Sequence, residues 1–181
     1  CKNKLKTRKD IITVAIDSPA AAGAGTQAKY IAKEYNLLYL DTGKIYRLIG
    51  RIRLQDKKNF SIKNLKKKIS KISLKELNDK SLLSDEIAVS ASIIAKDKKI
   101  REIIKKFQLN CAYNPPKIYA GSVLDGRDIT SVVTKKAKFK FYITANIRVR
   151  AQRRYEELVA LGKNTSYLNV STSENHKYSI S

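Results

Sequence analysis

The segment "VAIDSPAAAGAGTQAKYIA", Val14 to Ala32, constrains the fold more than any other part of the chain. It lies on a short β-branched run, "IITVAI" (Ile11 to Ile16), that fits a strand buried on both faces. A turn of small residues follows. Then comes "GTQAKYIAKEYN", where Ala28, Ile31, Ala32 and Tyr35 recur at helical spacing. A strand running through such a turn into a helix leaves backbone N–H groups bare and points the positive end of the helix dipole at the turn. Phosphate oxygens bind in that arrangement. Gly23 and Gly25 are spaced like the end of a GxxxxGK[ST] loop, and Thr26 stands where a hydroxyl ligates Mg²⁺. Two positions depart from the pattern. Ser18 replaces the first glycine, and Ala24 replaces the lysine. A tight turn with no ligand is the competing reading.

The alternation continues down the chain. "LLYL" (Leu37 to Leu40) predicts a second strand, and a helix opens from Asp41 and Thr42, both good N-caps. Residues 56–84 are lysine-dense, with mixed apolar spacing, and predict a small insert of helix and irregular structure. Residues 85–113 predict helices with a break near Lys96 to Lys99, stopped by "NPP". "KIYAGSVL" (Lys117 to Leu124) and "KFKFYITA" (Lys138 to Ala145) predict the third and fourth strands. "NIRVRAQRRYEELVAL" predicts an amphipathic helix capped by Asn146 and ended by Gly162. The tail after it is polar and weakly patterned.

This pattern specifies an α/β fold with right-handed crossovers and a mostly parallel sheet. Sites in such sheets lie beyond the carboxyl ends of the strands. Ser18 to Thr26, Asp41 to Thr42 and Asp125 to Asp128 each follow a strand, so the fold brings three motifs to one edge.

Composition narrows the class. The 181 residues fit one domain with a small insert, and 43% are hydrophobic, enough for a core. No apolar run approaches a membrane span, and no secretory leader is visible. Cys1 and Cys111 make neither a disulfide framework nor a metal site, so a reducing cytoplasm is the expected compartment. Methionine is absent even at position 1, which implies a longer reading frame or processing. The formal charge is +22. A polyanion partner is one reading of that excess. The favoured reading is a compositional habit, because lysine dominates the excess and Ile, Asn and Tyr are also abundant.

The later motifs carry chemistry of their own. In "YLDTGKIYR", Thr42 can bond a phosphate or sugar and Arg47 can fork onto a phosphate. In "DGRD", Gly126 permits a sharp turn and Arg127 is flanked by Asp125 and Asp128. An arginine between two acids there meets a ligand or closes an ion network. "RVRAQRR" places Arg150, Arg153 and Arg154 on neighbouring helical turns, as a solvated face or equally as a functional one.

Taken in order, "AIDSPAAAGAGT", "YLDTGKIYR", "DEIAVSASIIAKDKKIREIIKKFQ", "DGRDITSVV" and "KFKFYITANIRVRAQRRYEEL" resemble the bacterial cytidylate kinases, nucleoside-monophosphate kinases for CMP and dCMP. The similarity runs from about Ile11 to about Val170. It implies a three-layer P-loop kinase core, with a mostly parallel sheet flanked by helices, and a small monophosphate-binding insert. The expected divisions are a basic lead-in (1–10), core (11–55), insert (56–98), core (99–170) and polar tail (171–181). The implied reaction moves the γ-phosphoryl group of Mg-ATP to CMP or dCMP in a cytoplasmic monomer.

By position, Ser18, Ala22, Gly23, Ala24, Gly25 and Thr26 form the ATP-phosphate loop. Thr26 and Asp125 are the implied Mg²⁺ contacts. Thr42, Tyr46, Arg47, Ser92, Arg101, Arg127 and Asp128 match the CMP-site positions, with Arg101, Arg127 and Asp128 as the catalytic set. The arginines fall on the CMP phosphate, and Ser92 and Asp128 on base or sugar.

The chain departs from the family at Ala24, at Ser18 and at Thr130, a glycine position after the GRD motif. Past Val170 the family's lid motif, last strand and helix are not legible in the sequence. Losing the loop lysine is comparable to losing one oxyanion donor, about 2–4 kcal/mol of barrier, or roughly 30- to 1000-fold in rate. Lys29 lies on the wrong part of its helix to replace that lysine, and Lys44 is a speculative substitute. The alternatives are therefore a weakened or partial kinase, a nucleotide-binding relative without activity, and a basic nucleic-acid-binding protein on the same core.

Overall fold

A computed structural model describes residues 11–178, with side chains to residue 172. The lead-in (1–10) and the end of the tail lie outside the described residues. Four strands form one parallel sheet: β1 (Ile12–Asp17), β2 (Leu37–Asp41), β3 (Gly121–Gly126) and β4 (Phe139–Tyr142), in the order β2-β3-β1-β4. The register pairs Ile16 with Asp125 and with Phe141, and Asp41 with Asp125. The carboxyl ends of the strands are therefore level, and the segments that follow them share one edge.

Helix α1 (Ala24–Glu34) covers one face of the sheet. Its Ala24, Ala28 and Ala32 pack against Val14, Ile16, Leu37 and Val123. Small residues let the helix lie close to the sheet. The other face carries Ala15, Leu38, Leu40 and Leu124 beneath α2 (Thr42–Gln55), α3 (Ile62–Ile69), α4 (Asp85–Ala95) and α5 (Lys98–Tyr113). Two 3₁₀ turns, Leu74–Asn78 and Lys80–Leu83, join α3 to α4, and their Leu77 and Leu82 enter the same core. The lysine-dense stretch thus shares a continuous apolar core with the sheet. The break predicted near Lys96 is the link between α4 and α5, where Asp97 caps α5 by accepting from Lys99 N and Ile100 N.

Two predictions need correction. The third strand was expected from Lys117 but begins at Gly121. The residues before it form a turn in which Tyr119 N donates to the Pro116 carbonyl, and pairing starts only where Gly121 meets Ile12 and Leu37. The fourth strand was expected over Lys138 to Ala145 but is shorter and lies at the sheet edge, with all its side chains exposed. The tail beyond the sixth helix, polar and weakly patterned in sequence, forms a further helix. After α6 (Ile147–Ala160), Ser166 accepts from Asn169 N and starts α7 (Tyr167–Tyr178). Val170 is buried, and Tyr167 meets Tyr155 of α6 edge-on at 6.3 Å. One buried valine and one ring contact hold a helix whose periodicity is too weak to read from sequence.

Gly162 adopts φ +73 beyond α6, and Asn146 Oδ1 accepts from Arg148 N at its start, so both predicted ends of that helix are in place.

Candidate active site

The β1–α1 turn is shaped by its backbone. Ala21 (φ 57) and Gly23 (φ 97) take the left-handed conformation, and Ser18 does not. The serine at the first-glycine position therefore carries no backbone strain, and its N–H donates to the Gly126 carbonyl at 3.1 Å. Thr26 N and Gln27 N both donate to the Gly23 carbonyl. Among the described residues, the N–H groups of Ala24 and Gly25 have no hydrogen-bond acceptor. They are the orphan donors of a helix start, aimed into the turn. Ala22 is buried, and Ala24 is 4% exposed, its methyl packed on the sheet. Thr26 is exposed at the rim.

Beneath the turn lies Asp125. A Cβ on Gly25 would come within 3.3 Å of its Oδ2 and 3.4 Å of the Tyr39 hydroxyl, so glycine leaves the carboxylate its room. Tyr39 hydrogen-bonds Asp125, and Asp125 Oδ1 is buried without a partner. Burial and then the neighbouring Asp41 push the Asp125 carboxyl up to about 7. Burial, together with the charge of Asp125, also raises the Tyr39 hydroxyl.

The second and third motifs interlock. Asp41 caps α2 by accepting from Lys44 N. Thr42 Oγ1 donates to the Asp125 carbonyl at 2.8 Å, and a Cβ on Gly126 would sit 2.0 Å from that oxygen. Thr42 thus ties α2 to the end of β3. Tyr46 is half-buried. Burial raises its hydroxyl, while Arg101 lowers it and Asp128 raises it, so all three share one electrostatic neighbourhood. Arg101 reaches Asp128 at 3.8 Å, and both are exposed. Asp128 sits at φ 56, the sharp corner before a single π turn over Ile129–Val133.

Some predicted residues stand apart. Arg127 is exposed and pairs with neither flanking acid: Asp128 pairs with Arg101, and Asp125 points beneath the phosphate loop. Of the two readings of "DGRD", the closed ion network does not form among the described residues, because alternation along β3 turns Asp125 inward. Arg47 donates to the Leu82 carbonyl at 2.9 Å, reaching the 3₁₀ turns of the lysine-dense stretch. Ser92 is exposed, and its hydroxyl donates within its own helix to the Ala88 carbonyl. Lys29 lies 5.9 Å from the centre of the Tyr39 ring, and its charge acts to lower the Asp125 carboxyl.

Sequence reasoning gave Asp17 no role. Its carboxylate accepts from Ile129 N, Thr130 N and the Thr130 hydroxyl, clamping the segment after "DGRD" to β1. An acid ending a buried strand beside the small-residue turn was the available signal. The sequence of "RVRAQRR" leaves a solvated and a functional face equally open. In the structure Arg153 Nη1 donates to the Ala22 carbonyl at 3.2 Å, Arg150 is buried, and Arg154 pairs with Glu157 at 2.7 Å.

Residues 14–176 match the family model for cytidylate kinase. This chain belongs to the cytidylate kinase family. It is 42% identical to the cytidylate kinase of Bartonella bacilliformis over 159 residues, covering 85% of this chain and 70% of that one. It is 36% identical to the Clostridium tetani cytidylate kinase over 174 residues (88% and 73%) and 35% identical to that of Xanthobacter autotrophicus over 156 residues (86% and 73%). For a cytidylate kinase fold, two of the departures have local explanations: Ser18 keeps an ordinary backbone conformation, and the Thr130 hydroxyl adds a bond to Asp17. Ala24 has no such compensation within the loop.

Proposed function

We propose that this chain transfers the γ-phosphoryl group of ATP to CMP or dCMP, giving ADP and CDP or dCDP. The observation that carries this reading is the interlock at one sheet edge, where the Thr42 hydroxyl on the Asp125 carbonyl joins the motif after β2 to the motif after β3, directly beside the phosphate turn.

The chain's own groups divide the work. The N–H groups of Ala24 and Gly25 and the start of α1 receive the ATP phosphates. Thr42, Tyr46, Arg47, Arg101, Arg127 and Asp128 receive the monophosphate, with Arg127 exposed at the rim to meet its phosphate. Ser92 approaches the base only from an exposed face of α4. In transfer, an oxygen of the CMP phosphate bonds to the γ-phosphorus as the bond to the β-bridging oxygen breaks, and ADP leaves. Positioning and charge neutralisation supply most of the rate.

Thr26 and Asp125 are the residues for Mg²⁺. A buried carboxylate oxygen without a partner and an exposed hydroxyl suit a hard cation that is otherwise held by phosphate and water. When bound, the ion neutralises charge on the phosphates. The reading places the chain in the cytoplasm, and no helix among the described residues is long and apolar enough to cross a membrane.

The test is ADP formation from Mg-ATP with CMP, dCMP, UMP and AMP offered separately. ADP release that depends on CMP or dCMP, and is at least tenfold slower with UMP and AMP, is the expected result. Release independent of any acceptor contradicts the reading.

A further inference from the structure

Ala24 leaves the phosphate loop with partial charges only: backbone N–H groups and a helix end. The terminal phosphates of ATP carry several full negative charges, and developing charge there needs a fixed cation for fast transfer. Ala24 cannot bring one, because its side chain is an uncharged methyl group.

Other cations near the site have contacts of their own, and Arg127 is assigned above to the monophosphate. Lys29 sits over the Tyr39 ring on the flank of α1. Arg47 is held by the Leu82 carbonyl and Arg101 by Asp128, both on the monophosphate side. On α6, Arg154 is paired with Glu157, and Arg150 is buried.

Arg153 differs from these in what it touches. Its Nη1 lies 3.2 Å from the Ala22 carbonyl and 3.3 Å from where a Cβ on Gly23 would stand. The guanidinium therefore rests against the two residues that precede Ala24. The side chain is exposed, and a guanidinium has five N–H donors, so one bond to a carbonyl leaves others for a phosphate. Its planar fork matches phosphate oxygens. Gly23 matters twice here, since a side chain would be strained at φ 97 and would crowd the guanidinium.

We propose that Arg153 supplies from α6 the positive charge that the phosphate loop lacks at Ala24, and so binds the β- and γ-phosphates of ATP. This rests on the kinase reading above and deepens it at the ATP side.

The test compares five chains: the natural sequence, Arg153→Ala, Arg153→Lys, Ala24→Lys, and Arg153→Ala combined with Ala24→Lys. Mg-ATP affinity is measured by displacement of a fluorescent ATP analogue, and CMP affinity by calorimetry. Arg153→Ala is expected to weaken Mg-ATP at least tenfold and to leave CMP affinity within twofold, which also reports that the chain folds. Arg153→Lys should recover part of the loss, because it restores the charge without the fork. Ala24→Lys should restore most of the ATP affinity lost by Arg153→Ala, so that the arginine matters little once the loop has its lysine.

Unchanged ATP affinity in Arg153→Ala overturns the proposal. So does an equal loss with and without Ala24→Lys, which would make Arg153 an independent contact. Failure of the natural chain to bind Mg-ATP where it binds CMP also overturns it. Failure of the kinase reading is separable: CMP-dependent turnover would be absent while the Arg153 effect on ATP binding persists.

Discussion

Asp17 and Thr130 are joined across the active edge: Thr130 donates both its N–H and its hydroxyl to one oxygen of the Asp17 carboxylate, while Ile129 N donates to the other. The clamp fixes the segment that leads away from Arg127 and Asp128. Hydrogen bonds to a charged acceptor contribute about 1.5–3 kcal/mol each. Thr130→Gly keeps the backbone donor and loses the hydroxyl, so it should lower stability by about 2 kcal/mol in a denaturant titration. Asp17→Ala strands both N–H groups and should cost more. A Thr130→Gly chain as stable as the parent would show that the hydroxyl bond contributes nothing net.

Gly126→Ala should damage the same edge by a different route. The new methyl would sit 2.0 Å from Thr42 Oγ1, inside any allowed contact, and Thr42 is buried and β-branched, with little freedom to turn away. We expect a lower unfolding midpoint and at least tenfold weaker CMP binding by calorimetry. Adding Thr42→Ala should recover part of the stability by making room, but not the binding. Recovery of both would place the Thr42 hydroxyl outside the site.

Asp125 gives a pH signature. Its folded carboxyl titrates near 7, raised from 3.8 first by burial and then by Asp41. The folded state therefore binds a proton that the unfolded state has released across that window. Its contribution to stability is greatest below about pH 4 and is lost as pH rises to about 7. Asp125→Asn has no proton to lose, so its stability should be flatter over the same window. Unfolding midpoints measured in pH steps should converge at the acid end and diverge towards neutrality, with the variant higher. Parallel curves would mean that the carboxyl is not held up by its surroundings.

Helix packing gives a fourth expectation. Gly50 of α2 faces α4, and a Cβ there would lie 2.9 Å from Ala91 N and 3.0 Å from the Ile87 carbonyl. Alanine is favoured over glycine in a helix interior by about 1 kcal/mol, but overpacking against backbone costs about 1–3 kcal/mol. The clash should win, and Gly50→Ala should lower the melting temperature. A raised melting temperature would mean the two helices separate easily.

The strand–helix alternation was legible because β-branched runs and alanine-rich helix faces leave plain periodicities in the sequence. The meeting of three motifs at one edge followed from topology alone. Side-chain direction did not. Asp125 and Asp128 look alike around Arg127 in "DGRD", yet strand alternation buries the first and leaves the second exposed beside Arg101. Asp17 was passed over because its partners, Ile129 and Thr130, lie more than a hundred residues away. Arg153 was hidden in a run of arginines whose spacing gives a helix face but not what that face meets. Helix α7 was missed because its helical character rests on contacts with α6 rather than on its own pattern.

The most direct test of the account is chromatographic analysis of the products after incubation of this chain with Mg-ATP and CMP. The account predicts CDP and ADP in one-to-one ratio, with formation of both suppressed at least tenfold by Arg127→Ala. ADP accumulating without CDP, or no change on removing Arg127, would contradict it.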